Sequence, residues 1–229
     1  MTGTITERLA MIRERMRVAA RLVGRDPDAV TLVAVGKGQS VEVVRAGIAA
    51  GVTDCGENYV QELVTKGAAL GEAVRSWHFI GHLQRNKVKA VLPYIRWIHS
   101  LDSLALAEVI ERRATRPVRC LIEVNIGGEA SKSGVPPTGV RAMVEQLRGC
   151  RNIELRGLMC IPPPADAPEA NRPHFRAVAA LLRAINASGL TPTPLTELSM
   201  GMSDDFEIAI EEGATMIRIG TALFGARAP

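Results

Sequence analysis

The feature that most constrains this chain is a rhythm: short strand-like runs alternate with amphipathic segments along nearly its whole length. Residues 31–36 (TLVAVG) form a β-branched, continuously apolar run, as a strand buried on both faces requires. Further strands are predicted at 52–56, 77–80, 95–99, 118–126, 153–160, 195–200 and 216–220. Between them, 40–50, 59–70, 86–92, 103–114, 138–148, 175–188 and 204–211 read as helices, with Ser40 and Ser103 placed to cap two of them. Residues 221–227 begin a last short helix, and 161–173, rich in Pro and Ala, read as a loop. A further helix precedes the series. Thr4 and Glu7 form a capping-box pattern, and Ile5, Leu9, Ile12, Met16 and Ala19 follow at helical spacing.

Eight β/α units in strict alternation predict the α/β class and a single (β/α)8 TIM-type barrel preceded by an N-terminal helix. Residues 1–229 are expected to be one domain, with 1–28 as the N-terminal helix and its connection. Barrels of this kind run to about 250 residues, so no room is left for a second domain. An open doubly wound sheet is the competing architecture, but no G-x-G-x-x-G follows the first strand. Apolar residues at 47% and charged residues at 23% suit a soluble globular chain. Aromatic residues are only 3%, and the basic residues behind the net charge of +4 are interspersed with acids. Both points argue against nucleic-acid binding. Cys55, Cys120, Cys150 and Cys160 lack metal-ligand spacing and read as free thiols of a reducing compartment. Charges interrupt the N-terminal helix, so it is no signal peptide, and no stretch approaches the roughly 20 apolar residues of a membrane span. A cytoplasmic monomer without membrane contact is expected.

In a barrel, chemistry sits at the C-terminal ends of the strands. Lys37 is the first residue after TLVAVG and shares a strand face with Val33 and Val35. A lysine where an apolar strand opens into a cavity is partly desolvated, which favours the neutral amine that a Schiff base needs. A strand-end lysine in solvent is the alternative. The ends of the seventh and eighth predicted strands, 198–203 (LSMGMS) and 218–222 (RIGTA), fall where barrels hold phosphate. Gly201 and Gly220 permit close backbone approach, Ser199 and Thr221 offer hydroxyls, and the Gly220 and Thr221 N–H groups open the final helix. Ordinary turn chemistry would use the same residues. Asp204 and Asp205 would repel a phosphate and are expected to point away from it. Alternation turns Arg218 opposite to Ile217 and Ile219. There it either faces the mouth, where it places a permanent cation near Lys37, or pairs with a barrel carboxylate such as Glu123.

The order and spacing of several motifs add to this reading: VAVGK (33–37), GENYVQE (56–62), WHFIGHLQRNK (77–87), VNIGGEASKSGV (124–135), GLM (157–159), ELSMGMSDD (197–205) and IRIGTALFG (217–225). Over residues 33–227 the chain resembles the pyridoxal phosphate homeostasis proteins, small barrels that bind pyridoxal 5′-phosphate (PLP) and are similar to the N-terminal domain of alanine racemase. The resemblance implies that Lys37 holds PLP as a Schiff base and that Arg218 contacts the pyridine nitrogen. It implies that Ser199, Gly220 and Thr221 hold the phosphate, with Met200 and Gly201 in the same loop. Asn58 would lie near the cofactor, and His78 would line the mouth. The implied function is intracellular PLP homeostasis: buffering PLP and delivering it to apo PLP-dependent enzymes. The chain departs from the family pattern at Gly36, where Ser is common, at Gly38-Gln39-Ser40, where Thr or Pro is common, and at Cys55, where an aromatic residue is usual. These changes soften the walls around Lys37.

An amino-acid racemase or related PLP enzyme is the alternative function, and an aldolase using Lys37 is a more distant one. Racemases of this fold use a second acid/base, a tyrosine from an extra domain. The tyrosines here are Tyr59 and Tyr94. An arginine at the pyridine nitrogen also weakens the ring as an electron sink. A carrier without robust catalysis is therefore expected.

Overall fold

The computed structural model describes residues 3–129 and 132–226. Ala130 and Ser131, inside the 124–135 motif, and Arg227, at the end of the 221–227 segment, lie outside the described residues. After α1 (Ile5–Leu22) the chain runs β1 (Thr31–Val35), α2 (Val41–Ala49), β2 (Asp54–Glu57), α3 (Val60–Leu70), β3 (Ser76–Phe79), α4 (Val88–Val91), β4 (Trp97–Leu101) and α5 (Leu104–Arg113). It continues through β5 (Val118–Val124), α6 (Pro137–Leu147), β6 (Ile153–Cys160), α7 (Arg172–Ala187), β7 (Glu197–Ser199), α8 (Phe206–Glu211), β8 (Met216–Ile219) and α9 (Thr221–Phe224). The strands pair in sequence order, all parallel, and β8 closes on β1 with Val33 beside Arg218. The architecture is the expected eight-stranded α/β barrel with a helix in front.

Local chemistry fixes the helix starts. Thr4 and Glu7 make the reciprocal capping box of α1, and Ser40 and Ser103 accept hydrogen bonds from Val43 N–H and Leu106 N–H. The buried stripe Leu9, Ile12, Met16, Ala19 and Ala20 lays α1 against the barrel, mainly on α8 and α9. Arg8 donates to the Leu223 carbonyl at 2.7 Å, and Arg25 donates to the carbonyls of Ile210 and Ala214. No helix among the described residues is long and apolar enough to cross a membrane.

Element ends differ from the sequence expectation in several places: β2 begins at Asp54 and β7 at Glu197, each two residues later than predicted. β4 begins at Trp97, two residues later than predicted, because Ile95 still belongs to the turn after α4: its N–H donates to the Val91 carbonyl. Part of the expected 161–173 loop is helical, with a 3-10 turn at Pro168–Asn171 and α7 starting at Arg172. Pro173 sits in the first turn of α7, where its missing N–H costs nothing.

Alternation along each strand sorts side chains into two cores. Ala34, Cys55, Phe79, Ile98, Cys120, Ile122, Leu158, Leu198, Ile217 and Ile219 face the helices and join the main core. Trp97, Leu121, Met159 and Met216 pack together as a separate interior cluster. Cys55, Cys120 and Cys160 are buried free thiols, and Cys150 is a half-buried one. At the β6–β7 seam the two backbones approach closely at a glycine. A Cβ on Gly157 would stand 1.8 Å from the Glu197 carbonyl oxygen, its strand partner. Gly157→Ala should therefore cost about 3 kcal/mol, because backbone rather than a flexible side chain must yield. Urea denaturation of the variant against the native chain measures this.

Candidate active site at the barrel mouth

At the C-terminal ends of the strands lies a cavity of about 350 Å³, within the range of small-ligand sites. Lys37, Asn58, Arg218, Gly220 and Thr221 line it, with Ser203 and Asp204 from the β7–α8 loop. Val35, Ile80, Ile161 and Met202 supply apolar wall.

Lys37 stands on a turn clamped from both sides. Gly36 N–H donates to the Gly56 carbonyl, and Gln39 N–H closes the turn on the Gly36 carbonyl. Gly38, at φ +71°, takes the left-handed conformation that suits glycine. Buried Lys66, from α3, spends its three donors on the Gly36 carbonyl (2.7 Å), Glu57 Oε1 (2.7 Å) and Glu62 Oε2 (2.6 Å). The same Glu62 oxygen accepts from Gly38 N–H at 2.8 Å. The peptide groups on either side of Lys37 are thus tied to one ion-pair cluster. Glycine at position 36 has a reason here: a Cβ would meet Glu57 Oε1 at 2.6 Å. Burial pushes the Glu57 carboxyl up to about 7, against the pull of Lys66.

Arg218 faces the interior, opposite to Ile217 and Ile219, and is buried. Its hydrogen-bond partners are neutral. Nη1 donates to the Ser199 carbonyl (2.8 Å) and to Ser199 Oγ (2.7 Å), and Nη2 donates to the Cys160 carbonyl (2.9 Å). Glu123 is near enough to act on it through charge, but the two make no ion pair among the described residues. Burial raises the Glu123 carboxyl to about 7, with Asp102 adding to the rise and Arg218 opposing it. A guanidinium held by neutral acceptors and lining a cavity keeps donors for an electron-rich ligand. Asn58 offers a complementary group, since its buried Oδ1 has no hydrogen-bond partner among the described residues. A Cβ on Gly81 would come within 2.3 Å of the Asn58 carbonyl, so the β3 turn presses Asn58 into place.

The remaining expected site residues lie elsewhere. Ser199 is fully buried beneath Arg218, and Met200 joins the outer core. Gly201, at φ +91°, is packed so closely on α8 that a Cβ would meet Ala209 at 2.5 Å. His78 is enclosed in the barrel, stacked on Trp97 with centroids 5.7 Å apart, and does not line the cavity. Asp205 turns away, accepting from Met202 N–H and Asn171 Nδ2. Asp204, expected to turn away too, stands on the cavity wall. Ser203 escaped the sequence reading although it lies in the ELSMGMSDD motif. Its side chain accepts from Ala222 N–H at 3.3 Å, tying the loops after β7 and β8 together. Lys66 and Glu62 carried only the signal of i, i+4 spacing on one helix.

The fold and site define a class: single barrels of the kind described as "Alanine racemase, N-terminal domain", whose family model matches residues 8–228. A pyridoxal phosphate homeostasis protein of Pseudomonas aeruginosa is 44% identical over 228 residues, covering 98% of this chain and 96% of the relative. One from Escherichia coli is 40% identical over 230 residues, covering 97% of each. The chain belongs to the pyridoxal phosphate homeostasis protein family. PipY of Synechococcus elongatus, solved with PLP bound, superposes with a TM-score of 0.84 at 35% identity, covering 97% of this chain and all of PipY. Alanine racemase from Corynebacterium glutamicum, at 18% identity and a TM-score of 0.70, shares the fold over 96% of this chain and 62% of the racemase.

The Lys66 clamp makes a pH-dependent prediction. A carboxyl raised from 4.5 to about 7 binds its proton more tightly folded than unfolded. The contribution of Glu57 to stability therefore falls as pH rises through that window. Lys66→Met removes the opposing charge and leaves Glu57 buried alone. It should cost about 3 kcal/mol at pH 8 and distinctly less at pH 5, where Glu57 holds a proton. Denaturation curves across that pH range give the comparison.

Proposed function

We propose that this chain is an intracellular PLP-binding protein of vitamin B6 homeostasis that holds PLP as a Schiff base on Lys37, buffers it and delivers it. The observation that carries the reading is the convergence in one cavity of Lys37, Arg218, the unpartnered Asn58 Oδ1 and the hydroxyls of Ser203 and Thr221. PipY, 35% identical to this chain, was solved with PLP bound, and the relatives are named for PLP homeostasis. Bound PLP would supply an aldehyde for attachment and a pyridine ring able to take up electron density.

The roles follow from the lining. Lys37 would hold PLP through its amine, the nucleophile that suits the cofactor's aldehyde. Ser203, Thr221 and the N–H groups of Gly220 and Thr221 suit a phosphate, because the first turn of a helix leaves its N–H groups without helical partners. On this reading Ser199, Met200 and Gly201 shape the phosphate loop from beneath. Arg218, with donors left over from its protein partners, would face the pyridine nitrogen and keep it unprotonated.

A carrier rather than a racemase is favoured by the absence of a tyrosine from the described lining. Tyr59 borders a neighbouring cavity, and Tyr94 packs on Gly67 of α3. Ile161 and Met202, at 37% and 38% exposure, leave the mouth accessible to water. An open mouth suits a monomer in the cytoplasm that gives up its PLP to apo-enzymes.

Protein mixed with PLP should turn visibly coloured, and borohydride should fix one cofactor to Lys37, read by peptide mass. Lys37→Ala should abolish both signals; a native protein that stays colourless would refute the reading. Ser203→Ala with Thr221→Ala should weaken PLP binding by at least tenfold, since each charge-assisted hydrogen bond is worth about 1.5–3 kcal/mol. Pyridoxal, lacking the phosphate, should bind as weakly to the native chain as PLP does to the variant. PLP-loaded protein should restore an apo PLP enzyme while racemising alanine far below the usual enzymatic range of about 1–10³ per second.

A further inference from the structure

A file of buried polar side chains crosses the barrel interior from one end to the other. It starts at Asp54, the first residue of β2. Asp54 borders a second cavity, of about 310 Å³, between α1 and the N-terminal ends of β1 and β2. Asp54 Oδ1 lies 3.2 Å from His78 Nε2, and His78 Nδ1 lies 2.9 Å from His99 Nε2. His99 Nδ1 lies 2.9 Å from Ser199 Oγ, which accepts from Arg218 Nη1 at the mouth cavity. His78, His99 and Ser199 are all fully buried. Trp97 stacks on His78 and meets His99 edge to face, which fixes both rings.

The chemistry at the Asp54 end sets the direction of the whole file. Asp54 also accepts from Thr53 Oγ1 at 2.7 Å and from Arg75. Burial pushes its carboxyl up, but the hydrogen bonds from His78 and Thr53 outweigh this, and it stays ionised. An ionised carboxylate only accepts, so His78 must carry its proton on Nε2. Burial holds both histidines below their usual range, so each has one ring proton. His78 Nδ1 is then an acceptor, His99 donates to it through Nε2–H, and His99 Nδ1 is left to accept. The Ser199 hydroxyl proton goes to His99, and its lone pair goes to Arg218. Two of the five guanidinium N–H donors of Arg218 then remain uncommitted among the described residues.

We propose that His99 and His78, oriented by Asp54, are positioning residues: they lock Ser199 as an acceptor and thereby aim Arg218 at the ring of a bound pyridine cofactor. The inference rests on the proposed PLP site, but its first test needs no cofactor. In ¹⁵N-histidine-labelled, cofactor-free protein, both buried histidines should appear as neutral Nε2–H tautomers, and one Arg218 Nε–H signal should be sharp. An Nδ1–H tautomer at His99 would overturn the proposal whether or not PLP binds.

Two variants then separate positioning from packing. The His99→Asn oxygen stands near the old Nδ1 and can still accept from Ser199. The His99→Gln amide reaches the old Nε2 and can still meet His78, but leaves the Ser199 hydroxyl without its acceptor. His99→Gln should broaden the Arg218 Nε–H signal, shift the absorption of bound PLP and weaken its retention about tenfold. His99→Asn should keep the native spectrum and stay within about threefold in retention. Equal behaviour of the two variants, each verified as folded by its melting curve, would overturn the proposal. If either fails to fold, the tautomers and the Arg218 signal of the native chain decide alone.

Discussion

A closed barrel of eight parallel strands gives every second side chain no easy route to water, and the rest of this structure answers to that constraint. Part of the interior is filled with bulk by Trp97, Leu121, Met159 and Met216. Another part is polar, and each polar group there must find a partner inside. Asp54, His78, His99, Ser199 and Arg218 do so in one continuous file, held to the strands that carry them. A guanidinium would be costly to bury unpartnered. Here three neutral acceptors hold it at the level where the barrel opens.

The mouth is organised by a second device outside the barrel wall. Lys66 reaches from α3 under the β1 turn and ties the Gly36 carbonyl to two carboxylates. One of these, Glu62, turns back to hold Gly38 N–H. The lysine that stands between those glycines is therefore presented by a rigid turn rather than a free loop. On the proposed function this division makes sense. The attachment point and the ring-facing cation are held firmly, while the wall between them is left to exposed Ile161 and Met202. Such a site can grip a cofactor by its ends and still let it leave through an open face.

The alternation of strands and helices, the capping box at Thr4 and the C-terminal placement of Lys37 were legible in the chain, because each rests on local spacing or on a strand end. Lys37, Asn58, Arg218, Gly220 and Thr221, to which the sequence points, share one cavity. The sequence suggests Ser199 as a phosphate ligand because it ends a strand in a Gly- and Ser-rich motif. Strand pairing instead sets it inside, beside Met159, with Ser203 four residues on reaching the cavity wall. In the chain His78 stands as one isolated histidine, and no local pattern marks His99 as its partner.

The sequence by itself determined the order and type of the elements and which residues cap and end them, because those choices depend on neighbours within a few positions. Only the tertiary structure decided which inward residues meet. Arg218 and Asp54 stand 164 positions apart in the chain. Whether they are joined through two histidines and a serine depends on barrel closure, strand tilt and the register of β3, β4, β7 and β8. Those are set by the packing of the whole, and no local pattern of residues encodes them.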